Sequence, residues 1–595
     1  RVERSYAYDE NGATENKTHI VVAWLLGEST DLESLLEAQL LASVLLDNSA
    51  SPLQQALETS SLGQAPSPLC GLEDSMREMV FCCGIEGSEA ESADAVESMI
   101  LDVLERVATD GIDHDRMEAV LHQLELHQRE ISGDGYPYGL QLILQALGCA
   151  THYSDPIAVL DLEPVISRLR TRIGDPSYIR KLTRQLLLDN SHRVTLVMKP
   201  DTELSARRAA AESERLAAIK AGMNPAARAE TVQLAQDLAA RQQQADDETV
   251  LPKVELSDVP DSLPELAYRE SNPRGIPITS YSQGTNGLVY QQLVTPLPLL
   301  EPAQLATLPL YTQVMTELGL GPRDYLETQH RQSATVGSIN GFSSMRGAVA
   351  NEQAVSGYLA LSSKALLRNA EEQSQLMHDT LETLRFDETD RLRELVSQMR
   401  ARRDQSITGN GHGLAMAAAS AGMSPLAKLN HELSGLAGIR TLRALDDGLK
   451  NSGNLASFAD ELAQLHSKVV AMPRQILLIA EEERTAAVAD LAAQTWGFAQ
   501  QSTRQPHFTL EPVRERKAEM WLTNTQVNFC ARAYPTVPAL HPDAAVLTVL
   551  GGFLRNGYLH RTIREQGGAY GCLLYTSPSP RDIHHNLVFR LLLEK

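Results

Sequence analysis

The chain has 595 residues and a net charge of −23, from 53 Lys and Arg against 76 Asp and Glu. That length accommodates about four units of ~150 residues, and the acidic balance argues against nucleic-acid binding while favouring basic ligands. No apolar run approaches the ~20 residues of a membrane-spanning helix, and the six cysteines are scattered without a C-x-x-C pair, which reads as free thiols in a reducing compartment.

The first region runs to about Asp201. Its β-branched stretch 18–24 predicts a strand, and the Leu and Ala spacing over 32–46 predicts a helix. A short helix over 51–58 follows, with Pro52 suited to its first turn. Further strands are expected at 79–85 and 193–198, with helices at 94–108 and 115–130, giving an α+β domain.

From 203 to 248 the composition shifts to Ala, Glu, Arg and Gln, and Gly222-Met223-Asn224-Pro225 interrupts it. This predicts a helix, a turn and a second helix with a thin apolar stripe, a solvated linker. An extended connector follows over 251–264. The third region reads as a strand at 287–294, a helix at 302–318, paired strands at 335–343 and 355–362, and charged helices over 370–403. A fourth begins near Gln475, with a strand at 475–480, a helix at 481–500, a strand at 525–533 and a helix at 543–564.

Regions one and four share a weak repeat. In each, a strand led by Thr18 or Thr525 precedes a helix entered through an aspartate, and then Leu53-x-x-Ala56-Leu57-Glu58 matches Leu559-x-x-Thr562-Ile563-Arg564. One copy carries a glutamate where the other carries Arg564, so the copies share a fold and not a chemical role.

Few stretches offer chemistry. There is no G-x-S-x-G elbow, and Gly409-Asn410-Gly411-His412-Gly413 lacks the lysine and setting of a phosphate loop, so it is expected to be a mobile loop. His122 and His127 are five residues apart, which turns them about 140° from each other on a helix. They therefore cannot share a zinc and are expected at the surface. The stretch Leu559-His560-Arg561-Thr562-Ile563-Arg564-Glu565-Gln566-Gly567-Gly568-Ala569-Tyr570-Gly571 is more informative. It reads as a helix end carrying an arginine, a glycine reversal and a returning tyrosine, a pair suited to hold a peptide carbonyl as it becomes an oxyanion. The plainer alternatives are a cation favoured by the helix dipole and a core tyrosine.

Val21-Val22-Ala23-Trp24-Leu25-Leu26-Gly27 with Ala50-Ser51-Pro52-Leu53, then Glu214-Arg215-Leu216-Ala217-Ala218-Ile219-Lys220, Gly275-Ile276-Pro277 and the segment from Ile563 to Gly571 resemble, in order, the presequence protease branch of the M16 metallopeptidases. The resemblance implies LuxS/metallohydrolase-like α+β domains in a clamshell, joined by a helical hairpin and closing around a chamber that admits unstructured peptides. By position it implies a second M16-type domain over 1–200, the hairpin linker over 201–255, a third domain over 256–470 and a truncated fourth over 471–571. The family zinc sits in a first domain on an H-x-x-E-H helix, a motif this sequence lacks, so the resemblance places the zinc ligands outside this chain. It implies zinc-assisted peptide hydrolysis, with Arg564 and Tyr570 as the two substrate-side donors contributed across the chamber.

After Gly571 the family pattern stops. Cys572-Leu573-Leu574-Tyr575-Thr576-Ser577-Pro578-Ser579-Pro580-Arg581-Asp582 resembles the translation of a sequencing-library adapter, so 572–595, including His584-His585, is expected to be artefactual. With no initiator Met or leader-like segment at Arg1-Val2-Glu3, the natural start is expected upstream. Two functions follow: a fragment, inactive alone, of a monomeric zinc endopeptidase that degrades short unstructured or targeting peptides, or a non-catalytic M16 partner subunit that binds peptides or completes another chain's chamber. The expected compartment is a bacterial cytoplasm or an organellar matrix.

Overall fold

The computed structural model describes residues 1–9, 12–131, 137–244, 247–253, 255–260, 262, 266–497, 506–523, 525, 527–575 and 587–594. His584-His585 and the expected end of the helix at 500 lie outside them.

The first unit is built on β1 (Val2–Ala7), β2 (Thr18–Glu28), β3 (Ala65–Pro66), β4 (Gly71–Glu73), β5 (Glu78–Ser88) and β6 (Arg193–Asp201). Their spatial order is β1-β6-β2-β5-β3, with β4 also on β5. β1 and β6 are parallel and the other pairs antiparallel. Helices α1 (Leu32–Leu46), α2 (Pro52–Glu58), α3 (Ala93–Asp110), α4 (His114–Arg129), α5 (Tyr138–Thr151), α6 (Glu163–Arg172) and α7 (Tyr178–Thr183) complete it. Ile20, Val22 and Trp24, at alternate positions of β2, are fully buried with Leu36 and Leu40 of α1 and Leu104 of α3. The Trp24 indole N–H donates to the Leu187 carbonyl at 2.9 Å, so the largest core side chain is also satisfied. As expected, an aspartate opens the first helix: the Asp31 carboxylate accepts from the Glu33 N–H at 3.2 Å.

The two linker helices form as the sequence predicts, α8 (Leu204–Gly222) and α9 (Pro225–Gln243), with Pro225 in the first turn and Asn224 accepting from the Ala227 N–H. No residue of α8 is buried.

The second unit carries β7 (Tyr268–Ser271), β8 (Ile278–Ser282), β9 (Leu288–Pro296), β10 (Ser338–Ala348), β11 (Asn351–Leu366) and β12 (Gln475–Ala480), in the order β10-β11-β9-β12-β8-β7. Around it lie α10 (Pro302–Val314), α11 (Tyr325–Thr335), α12 (Ala370–Glu382), α13 (Thr389–Gly409), α14 (Gly411–Ser420), α15 (Pro425–Leu433), α16 (Leu436–Gly448), α17 (Ser452–Val470) and α18 (Glu482–Trp496). One core contains Leu293, Leu361, Tyr311, Leu462 and Trp496.

The units repeat one topology. The row β1-β6-β2-β5-β3 corresponds to β8-β12-β9-β11-β10, with β1–β6 and β8–β12 the parallel pairs. This corrects the placement of 475–480 at the head of a fourth domain: β12 hydrogen-bonds to β8 and β9 and closes the second unit. The loop expected at 409–413 is also corrected. It is a junction between α13 and α14, where a Cβ on Gly411 would lie 2.3 Å from the Phe529 ring, so close packing and not mobility requires that glycine.

The third sheet has the order β13-β15-β14, from β13 (Val527–Tyr534), β14 (Cys572–Tyr575) and β15 (Leu587–Glu594). Its two later strands come from the segment that resembles an adapter translation. Helix α19 (Asp543–Phe553) continues without a break into a π-helix over Leu554–Gln566. The arrangement β13-β15-β14 corresponds to β2-β5-β3 and β9-β11-β10. Among the described residues no helix is long and apolar enough to cross a membrane.

Candidate functional site

Arg564 stands near the end of the π-helix, exposed, and Tyr570 follows the glycine reversal with 69% of its surface open. The turn between them is tightly specified. Gly568 has φ +70°, and a Cβ on Gly567 would lie 2.7 Å from the Ile563 carbonyl oxygen. The buried Ala569 donates its N–H to that same carbonyl at 3.2 Å, folding the chain back over the last helical turn. The structure therefore presents both predicted residues to solvent on either side of one compact reversal, and Tyr570 is not a core side chain.

The helix also orients the arginine. Arg564 Nη1 lies 3.3 Å from His560 Nε2, and His560 Nδ1 lies 3.4 Å from Glu565 Oε1. A guanidinium can only donate, so Nε2 must accept. That places the imidazole proton on Nδ1, where it points to the Glu565 carboxylate. The row Glu565–His560–Arg564 was not foreseen, although the i, i+4 spacing of His560 and Arg564 was visible.

No cluster of three or more metal-ligating side chains occurs among the described residues, so these residues do not form a zinc site. His127 is exposed, as expected. His122 is not: it is buried where α4 meets the second unit, its Nδ1 3.4 Å from Arg368 Nη2, and burial together with Arg368 holds its pKa below the ordinary imidazole value. The expectation of two surface histidines fails because one face of α4 is covered by residues more than 200 positions away.

Glu58, the counterpart of Arg564 in the weak repeat, serves packing. It lies 3.1 Å from Arg391, which is only 3% exposed. Arg391 also meets Glu317 at 3.2 Å, Glu394 at 3.5 Å and the Ser49 hydroxyl at 2.7 Å, over the Tyr325 ring. Burial opposes the Arg391 charge, but the three carboxylates outweigh it and hold its pKa above the usual value.

A family model described as peptidase M16 inactive domain matches residues 4–124, and one described as peptidase M16 (subfamily C) associated matches 198–445. Presequence protease 1, chloroplastic/mitochondrial, of Arabidopsis thaliana is 26% identical over 585 residues, covering 96% of this chain and 53% of that protein. The mitochondrial presequence protease of Yarrowia lipolytica is 27% identical over 573 residues, covering 94% and 56%. The chain thus spans about half the length of the curated relatives it matches. Among solved structures, the periplasmic protease PqqL from Escherichia coli superposes with a TM-score of 0.38 at 13% identity, covering all of this chain and 62% of that one. With two M16 models matching successive parts of the chain and presequence proteases matching more than nine-tenths of it, the chain belongs to subfamily C of the M16 peptidases.

Proposed function

We propose that this chain is the substrate-clamping portion of a zinc metalloendopeptidase that degrades short, unstructured, presequence-like peptides, and that the zinc ligands are supplied outside the chain. The observation that carries the reading is the pair of exposed hydrogen-bond donors, Arg564 and Tyr570, held at one glycine reversal with Arg564 oriented through His560 and Glu565. As a peptide carbonyl is attacked, negative charge gathers on its oxygen. A guanidinium and a phenol set beforehand against that oxygen stabilise the charged form more than the ground state. No step through a metal is assigned to this chain, since its described residues do not fit one. The net charge of −23 suits basic peptides, and a chamber closed by a clamshell would restrict entry to unfolded ones. The complete protein is proposed to be a monomer of an organellar matrix or a bacterial cytoplasm.

The purified chain alone is expected to bind no stoichiometric zinc and to cleave no fluorogenic peptide; metal-dependent turnover by it overturns the reading. The natural coding sequence upstream of Arg1 is expected to encode H-x-x-E-H in frame. An upstream region without that motif would favour the alternative, a non-catalytic M16 partner that captures peptides or completes another chain's chamber.

A further inference from the structure

Helix α4 of the first unit lies against the second unit along one face, where α11 and the turn after β11 meet it. Two of its residues one turn apart, His122 and Glu125, are buried at this seam. Glu125 is the common acceptor of three guanidiniums. Arg129 of the same helix reaches it at 3.1 Å and Arg170 of α6 at 3.4 Å, while the two terminal nitrogens of Arg368 reach its two oxygens at 3.3 and 3.0 Å. Arg368 alone of the three comes from the second unit, from the turn after β11. Its side chain is 56% exposed, so its hold on Glu125 is a clasp with room to swing into solvent.

The same guanidinium meets His122, with Arg368 Nη2 3.4 Å from Nδ1 of the ring. A guanidinium only donates, so Nδ1 must accept, and the imidazole is neutral with its proton on Nε2. The other groups that face the ring are the Glu125 carboxylate, the Arg170 guanidinium and the Thr335 carbonyl at the end of α11. A proton added at Nδ1 would point at the Arg368 N–H and set a third cation beside two arginines. Glu125, already shared by three guanidiniums, offers that cation little. Burial, Arg368 and Arg170 accordingly hold the His122 pKa below the ordinary imidazole value, against the pull of Glu125 and Thr335. Glu125 itself stays ionised in mild acid: burial opposes its charge, but Arg368, Arg129 and Arg170 outweigh burial and hold its carboxyl below the usual range.

We infer that His122 is an acid-operated release for the clasp that Arg368 makes with Glu125, so that the seam between the two complete units is closed here at neutral pH and loosens in mild acid. With Arg368 swung into solvent, His122 takes up a proton that the closed seam refuses. Acid therefore favours the open form, by at most about tenfold per pH unit for one proton. Gln123 still bonds the Ser333 and Val336 carbonyls, and Lys364 the Glu130 carboxylate, so the loosening is local and the units stay joined. Neither a metal nor Arg564 and Tyr570 enter, so the inference stands or falls apart from the peptidase reading.

Hydrogen exchange of the whole chain, corrected for the intrinsic pH dependence of amide exchange, tests this. Between about pH 7.5 and about pH 5 the amides of 333–337 and 366–369 are expected to lose about tenfold in protection, while those of β2 and β9 in the two cores keep theirs. His122→Asn, whose carboxamide oxygen stands in for Nδ1 without titrating, is expected to keep the seam protected at both pH values. Arg368→Gln removes the clasp and is expected to show the loosened level at both. Native-chain protection that does not change with pH overturns the inference, as does a His122→Asn chain that loosens in acid as the native chain does. An acid response that persists in Arg368→Gln overturns it however His122→Asn packs. Equal loss of protection in β2 and β9 also overturns it, since acid would then be unfolding the units and not releasing a clasp.

Discussion

Arg564 and His466 show what single positions do when one is left open and the other is enclosed. Arg564→Ala in the complete enzyme is expected to lower kcat/KM about 100-fold, in line with the loss of one preorganised oxyanion donor, with zinc content unchanged. Unaltered kinetics would return Arg564 to a helix-end cation. His466 is the reverse case. Its Nδ1 meets the Tyr311 hydroxyl at 2.9 Å inside the second core, and burial pushes its pKa down to about 4. The unfolded chain takes up a proton near pH 6.5 that the native state refuses until about pH 4. Stability present above pH 6.5 is therefore lost as pH falls through that window, by about 3 kcal/mol in total. His466→Gln is expected to flatten the urea-measured stability between about pH 7 and pH 4.5.

At the scale of elements, helix and strand positions followed from local periodicity and caps: α1, α2 and both hairpin helices sit where Asp31, Pro52 and Asn224-Pro225 put them. What local pattern did not carry was partnership. β12 has the same apolar run whether it opens one sheet or closes another, and only its pairing with β8 and β9 decides. The hairpin offers a direct test, because it is solvent-exposed and carries Lys220 and Arg228. Limited trypsin digestion is expected to cut within 204–243 first and to leave two fragments that co-elute in size-exclusion chromatography. Fragments that elute apart would show that the hairpin alone joins the units.

Over the whole molecule, the two complete units meet along a polar seam. Gln123 donates to the Ser333 and Val336 carbonyls at 2.6 and 2.7 Å, Lys364 to Glu130 at 2.5 Å, and Arg368 to Glu125 at 3.0 Å, beside a small apolar cluster of Leu126, Leu288 and Leu366. Arg391 is its most enclosed charge. Arg391→Ala leaves Glu58 buried and uncompensated and is expected to destabilise the chain by about 3–5 kcal/mol in urea unfolding. Adding Glu58→Gln is expected to recover part of that loss, because the stranded charge is then removed.

The sequence by itself determined the strands and helices with clear caps and apolar spacing, among them 18–28, 32–46 and the two hairpin helices, together with the family and the glycine reversal between Arg564 and Tyr570, because caps, glycines and apolar spacing act over a few residues. The tertiary structure alone decided that Glu58 serves Arg391, that His122 is buried, and that 475–480 closes the second sheet. Each of these depends on a contact between residues far apart in the chain, and nothing in local composition encodes which distant partner will be met.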